Sequence, residues 1–167
     1  MLDNKGFDLW ADGYDLAVGL SDEKNTYPFA GYKEILGSIF RTIMERPGAV
    51  VLDIGFGTGT LTAKLYENGC TVYGRDFSER MIDLASEKMP GAHLYQGDFP
   101  QGLVKALQSQ SYDFIVATYS LHHLTDNQKV CFLRSLLERL NEDGKIQTND
   151  ADKNFCFCAS SVTKPVL

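Results

Sequence analysis

Short apolar runs alternate with amphipathic segments along most of this chain. Four of these runs have the length and composition of buried strands, and they fall at 49–54, 71–75, 92–95 and 112–117. Elsewhere apolar residues recur every three or four positions, which predicts helices at about 58–68, 79–88, 100–109 and 125–140. Strands that alternate with helices form right-handed βαβ units, so the pattern predicts a parallel sheet covered by helices.

The segments at either end depart from this alternation. Residues 1–47 precede the first strand and predict a helical cap, with an amphipathic helix from Pro28 to Arg46. After the last predicted helix, Asp143 and Gly144 indicate a turn, and a strand-like segment begins. The polar residues that follow do not resume the alternation, although 155–159 is an alternative late strand.

The turn after the first strand is rich in glycine, with Gly55, Gly57 and Gly59 at alternate positions. Glycine permits positive φ and close approach of a ligand, at the edge where open α/β sheets bind ligands. In a dinucleotide site the third glycine stands one residue later, where this chain has Thr60. Asp53, near the strand tip, would also repel a pyrophosphate. It suits a ligand with ammonium and sulfonium charges, which favours S-adenosylmethionine (SAM) over NAD.

Two more acidic residues follow the next two strands. Asp76 comes about 20 residues after the glycine turn, where an acid can accept hydrogen bonds from ribose hydroxyls. Asp98 follows the third strand, and its carboxylate can accept a hydrogen bond from an exocyclic amine such as that of adenine. The fourth strand runs into a polar loop. The chain therefore carries ligand-binding side chains after each predicted strand.

With these motifs in this order, residues 7–146 resemble the class I SAM-dependent methyltransferases, most closely the small-molecule type. The resemblance implies a Rossmann-like three-layer α/β/α sandwich with a mainly parallel sheet, SAM as cofactor and a small-molecule methyl acceptor. The cofactor contacts that we expect are Tyr14, Asp53, Gly55, Phe56, Gly57, Thr58, Gly59, Asp76, Phe77, Met81, Gly97, Asp98, Phe99 and Thr118.

We expect the small molecule that receives the methyl group to bind at the loop after the fourth strand. Thr118 and Tyr119 would line the methyl-transfer face, and His122 or the adjacent His123 is a candidate general base, because imidazole titrates near neutral pH. Arg75 departs from the family pattern, in which an apolar residue is usual before the acid. It could pair with Asp76 or recognise a phosphate.

Composition narrows the function further. The chain has 167 residues, 44% hydrophobic and 23% charged, as expected for one globular domain. A net charge of −6 without basic clusters argues against nucleic acid as a partner. No apolar run approaches the ~20 residues of a membrane span, and no signal-peptide core is present. Four cysteines without paired spacing favour free thiols in the cytoplasm over a disulfide or a metal site.

The C-terminal segment leaves three functional interpretations open. The family normally adds a fifth strand, a helix and two more strands, so we expect a sheet incomplete at that edge, with a domain at 1–146 and an atypical, truncated or altered tail at 147–167. An open edge would favour self-association, as in a homodimer. The chain is then an active methyltransferase, a SAM-binding module without turnover, or an NAD(P)-linked oxidoreductase, against which Asp53 and Thr60 argue.

Overall fold

The computed structural model describes residues 32–98, 101–149 and 160–163. The helices in these ranges are α1 (Tyr32–Met44), α2 (Thr60–Glu67), α3 (Glu79–Lys88), α4 (Lys105–Gln108) and α5 (Asp126–Leu137), with a 3₁₀ turn at Leu121–His123. The strands are β1 (Val50–Ile54), β2 (Thr71–Asp76), β3 (His93–Gln96), β4 (Tyr112–Thr118), β5 (Leu140–Asn149) and β6 (Ser160–Thr163).

All six strands form one sheet in the order β3-β2-β1-β4-β5-β6. The first five are parallel, and β6 pairs with β5 in the antiparallel sense. β2 and β3 are added on one side of β1, whereas β4 and β5 are added on the other side. The loops that follow β1 and β4 therefore diverge at the carboxyl edge of the sheet. Open α/β sheets bind ligands at such a switch point.

Each face of the sheet has its own apolar core. Alternate side chains of a strand point to opposite faces, so Val51 packs on one side and Leu52 on the other. The first core includes Ile39 of α1 and Leu65 of α2, together with residues of α3. The second includes residues of α4 and α5, such as Leu136. The predicted Rossmann-like three-layer arrangement is confirmed.

The start of α5 lies within one residue of its predicted position. Thr125 caps this helix with a reciprocal pair of hydrogen bonds. Its hydroxyl accepts from the backbone N–H of Gln128 at 3.5 Å, and the Gln128 side chain accepts from the backbone N–H of Thr125 at 2.9 Å. These contacts are local in sequence, which is why the start of the helix could be predicted from the sequence.

Two predicted helices and one predicted turn differ from the structure. The helix expected at 100–109 is reduced to the single turn of α4, because Gly102 has a φ of 71° and Val104 is in the extended conformation. The helix expected to reach Leu140 ends at Leu137, and β5 begins at Leu140. The predicted turn at Asp143 lies inside β5, where the register against β4 shifts and Asp143 has a φ of 61°.

At the C-terminal edge, where the sequence predicts an incomplete sheet, β5 continues to Asn149 and pairs with β4 at Leu140 and from Lys145 to Asn149. This places Gln147 and Asn149, assigned to the tail from the sequence, within the sheet. β6 then adds four residues opposite Lys145–Thr148. The alternative late strand at 155–159 lies outside the described residues. No helix in the described part of the chain is long and apolar enough to cross a membrane.

Candidate functional site

The glycine-rich turn connects β1 to α2 at the switch point of the sheet. Gly55, Gly57 and Gly59 have φ values of 75°, 57° and 78°, in the region that other residues rarely adopt. At Gly59 a side chain would also be crowded, because its Cβ would lie 3.0 Å from Cε of Met89. The turn therefore needs glycine both for its backbone conformation and for the close packing of α2 against the end of α3.

Asp53 lies beneath this turn and is only 2% exposed. Its Oδ2 accepts a hydrogen bond of 2.9 Å from the hydroxyl of Thr62 in α2. Its Oδ1 is buried and has no hydrogen-bond partner among the described residues. Burial raises the pKa of Asp53 to about 7; the hydrogen bond from Thr62 opposes this rise and the nearby charge of Asp76 adds to it. A buried carboxyl oxygen without a partner costs free energy, so this position suits a ligand that brings a donor or a positive charge.

Asp76, at the end of β2, connects the turn to the neighbouring strand. Its Oδ2 accepts the backbone N–H of Gly57 at 2.9 Å, and its Oδ1 accepts the backbone N–H of Ser78 at 3.0 Å. Ser78 in turn caps α3 by accepting the N–H of Met81. A carboxylate can accept about four hydrogen bonds, so Asp76 can hold the turn and also accept from a ligand hydroxyl.

Three expected cofactor contacts are buried in the protein core. Phe56 is 7% exposed, and its ring covers Gly74 of β2 so closely that a Cβ there would lie 2.6 Å from the ring. Met81 is 2% exposed, and Thr58 is also buried, its carbonyl accepting from Nζ of Lys88 at 2.9 Å. A ligand can therefore reach the backbone of Phe56 and Thr58 in the turn, but only a small exposed part of each of these three side chains.

The residues expected at the adenine end lie around the loop after β3. Phe77 is half-buried, and Asp98 is exposed. Between them lies Arg75, which is 1% exposed and donates from its guanidinium to the backbone carbonyls of Asp98 and Gly102. These contacts tie Arg75 to the loop backbone, and the pair with Asp76 and the phosphate site suggested from the sequence stay predictions. Burial lowers the pKa of Arg75, and the charge of Asp98 opposes this.

The loop after β4 faces the other half of the carboxyl edge. Thr118 is partly exposed at the end of β4, and Tyr119 follows with a φ of 54°, which is uncommon for a bulky residue. The N–H of Tyr119 donates to the carbonyl of Asn149 at 2.7 Å, and its ring lies 5.4 Å from that of Tyr32 in α1. His122 is exposed on the 3₁₀ turn.

Sequence reasoning missed Asn149, at the end of β5. The side chain is 3% exposed, and its Nδ2 has no hydrogen-bond partner among the described residues. The registers of β1, β4 and β5 place Asn149, Thr118 and Asp53 on the same face of the sheet, the one covered by α1 to α3. No feature of the sequence marks this residue, because its neighbours read as a polar tail.

Comparison with known proteins now adds to this geometry. A family model described as a methyltransferase domain matches residues 51–144, which includes the glycine turn and all three acids. This chain belongs to the methyltransferase domain family. The class I SAM-dependent type predicted from the sequence is confirmed, and with it SAM as the cofactor of the family.

Two bacterial proteins are among the relatives of this methyltransferase domain. The chain is 41% identical over 140 residues to an uncharacterized methyltransferase of Anoxybacillus flavithermus, covering 84% of this chain and 63% of that protein. It is 41% identical over 141 residues to one from Geobacillus thermodenitrificans, covering 84% and 62%. The chain thus spans somewhat less than two thirds of the length of these curated relatives.

Solved structures share the fold. DesVI of Streptomyces venezuelae is 26% identical, with a TM-score of 0.64, covering 84% of this chain and 56% of that one. A TehB-like SAM-dependent methyltransferase of Corynebacterium glutamicum is 21% identical, with a TM-score of 0.63, covering 83% and 71%. At the latter identity the likeness concerns the fold alone.

Some expected site residues of this methyltransferase domain lie outside the described residues. Tyr14 and Phe99 are among them, as is the side chain of His123. Gly97 is placed beside the guanidinium of Arg75.

Among the described residues, no group of three or more His, Cys, Asp or Glu side chains is close enough together to hold a metal ion. Cys70 and Cys131 are free thiols.

Proposed function

We propose that this chain binds SAM across the carboxyl ends of β1, β2 and β3 and methylates a small molecule held at the ends of β4 and β5. The observation that carries the proposal is Asp53. It presents a buried carboxyl oxygen with no partner among the described residues, under a turn whose conformation requires glycine. A cationic ligand with hydrogen-bond donors satisfies that oxygen, whereas the pyrophosphate of a dinucleotide would be repelled.

The remaining cofactor roles are assigned by position along the sheet. Asp76 would accept from the ribose hydroxyls while it also accepts from the N–H groups of Gly57 and Ser78, since a carboxylate has about four acceptor positions. The exposed carboxylate of Asp98 would accept from the adenine amine, and Phe77 would lie against the ring. SAM supplies an activated methyl group when bound, so the protein needs no nucleophile of its own.

Methyl transfer depends on how the methyl-acceptor molecule is oriented and on removal of a proton from its nucleophile. Holding the acceptor in line with the reacting carbon at about 3–3.5 Å supplies most of the rate enhancement that such a site can provide. Thr118 and Tyr119 would orient the acceptor, and the Nδ2 of Asn149 would donate to an oxygen that it carries. His122 is the proposed base where the nucleophile bears a proton, because its exposed imidazole can pass that proton to solvent.

Calorimetry tests the cofactor. We expect SAM and S-adenosylhomocysteine (SAH) to bind and NADH not to bind. Tight NADH binding without SAM binding would overturn the proposal in favour of an oxidoreductase.

Detection of SAH release over a panel of small-molecule acceptors tests the reaction. Production of SAH with one class of acceptor supports a methyltransferase and identifies its nucleophile as oxygen, nitrogen, carbon or sulfur. Binding of SAM with no SAH release from any acceptor contradicts the catalytic part of the proposal. It would make the chain a SAM-binding module.

A further inference from the structure

Arg75 is a buried cation in a strand of the central sheet. It is 1% exposed, and an apolar side chain could fill the same position in β2. A buried guanidinium is costly unless its N–H groups have acceptors. Here the two terminal nitrogens, Nη1 and Nη2, donate to the backbone carbonyls of Gly102 and Asp98 in the loop that follows β3.

The loop is shaped around this guanidinium. A Cβ on Gly97 would lie 2.5 Å from Nε and 3.0 Å from Cζ of Arg75, so any other residue would displace one of the two. The N–H of Gly97 also donates to the carbonyl of Asp76 at 2.9 Å. The loop backbone is therefore attached to β2 at three positions, Gly97, Asp98 and Gly102.

This attachment determines which atoms of Asp98 are available to a ligand. Its backbone carbonyl accepts from Arg75, whereas its side chain is exposed at the carboxyl edge. We propose that Arg75 is a positioning residue for adenine recognition: by holding the loop, it directs the Asp98 carboxylate toward the adenine end of the cofactor site. This inference rests on the proposed function, since it concerns the same ligand.

The test compares two ligands that differ only in the adenine. SAH contains it, and S-ribosylhomocysteine lacks it. In Arg75→Met we expect the affinity for SAH to fall about tenfold or more, the loss typical of one well-placed hydrogen bond to a charged group. The affinity for S-ribosylhomocysteine should change less than about threefold, because Asp53 and Asp76 still bind the part of the ligand that both compounds share. Arg75→Lys keeps the charge but not the geometry for two hydrogen bonds. Its affinity for SAH should lie between those of the wild type and Arg75→Met.

Hydrogen exchange and a second variant separate positioning from general stability. Arg75→Met should speed amide exchange in residues 101–104 of the unliganded protein while leaving the amides of β1 unchanged. Gly97→Ala, which keeps Arg75 and crowds it, should show the same ligand selectivity. Asn141→Ala removes a hydrogen bond at the opposite edge of the sheet. As a control it should lower the melting temperature without favouring either ligand.

Three results would overturn the inference. The first is SAH binding by folded Arg75→Met as tight as that of the wild type, and the second is an equal loss for both ligands. Either leaves the proposed function intact. The third is failure of the wild-type protein to bind SAH, which overturns the proposed function and the inference together.

Discussion

Asp53 and Asp113 are both buried carboxylates on adjacent central strands, but they lie at opposite edges of the sheet. Asp113, at the amino edge, accepts the N–H of Val50 at 2.8 Å and Nδ2 of Asn141 at 2.8 Å, and it pairs with Arg46 at 3.0 Å. Asp53, at the carboxyl edge, has one partner, Thr62, and an oxygen without any among the described residues. The first acid joins three strands, and the second remains available to a ligand.

The largest expected effect is on stability at the amino edge. Asp113→Ala leaves two partly buried donors, the N–H of Val50 and Nδ2 of Asn141, without this acceptor, so we expect the free energy of unfolding to fall by about 2–3 kcal/mol. The ion pair adds little, because the Arg46 side chain is 47% exposed. Urea unfolding measures the loss, and Asp113→Asn, which keeps an acceptor, should lose less. A change below about 0.5 kcal/mol, as at an ordinary surface site, would remove the contrast with Asp53.

The next effect is on ligand binding at the carboxyl edge. Asp53→Ala and Asp76→Ala should each weaken SAM binding by at least ~1.5 kcal/mol, since each removes a charged hydrogen-bond acceptor. Asp76→Ala should destabilise the unliganded protein more than Asp53→Ala, because the N–H groups of Gly57 and Ser78 both lose their acceptor, whereas Asp53 accepts only from the Thr62 hydroxyl. Calorimetry and thermal unfolding separate the two effects. Wild-type affinity in both variants would refute the site.

The pH dependence of stability should follow the raised pKa of Asp53. Its pKa rises from 3.8 to about 7 on folding. Between these values the unfolded chain releases the proton while the folded protein retains it, so this residue makes stability fall as pH rises from about 4 to 7. Asp53→Asn cannot titrate. It should therefore gain stability relative to wild type across this range, and parallel unfolding curves at pH 5 and pH 8 would contradict the assignment.

A smaller effect distinguishes two asparagines in the same strand. The Nδ2 of Asn141 donates to Asp113, whereas that of Asn149 has no partner among the described residues. Asn141→Ala should therefore cost about 1–2 kcal/mol of stability, and Asn149→Ala less than about 1 kcal/mol. Asn149→Ala should instead raise KM for the methyl acceptor, measured by SAH release. An equal loss of stability in both variants would show that Asn149 is a structural residue.

What could be predicted from the sequence is local along the chain. Apolar runs locate β1 to β4 to within a residue or two, because a buried strand needs consecutive apolar side chains. Thr125 and Gln128 cap their own helix. The glycine turn is also local, since positive φ is a property of each residue. These features together were enough for the fold and for the family.

Contacts between distant segments were decided by the tertiary structure. Nothing beside Arg75 in the sequence indicates that its acceptors lie 23 and 27 residues away. The open oxygen of Asp53 and the unpaired amide of Asn149 exist only because folding buries them without a partner among the described residues. The length of α4 and the irregularity in β5 also depend on neighbouring elements, which override local propensity. The sequence by itself determined where the strands and the glycine turn lie, whereas packing decided which buried polar atoms remain for a ligand.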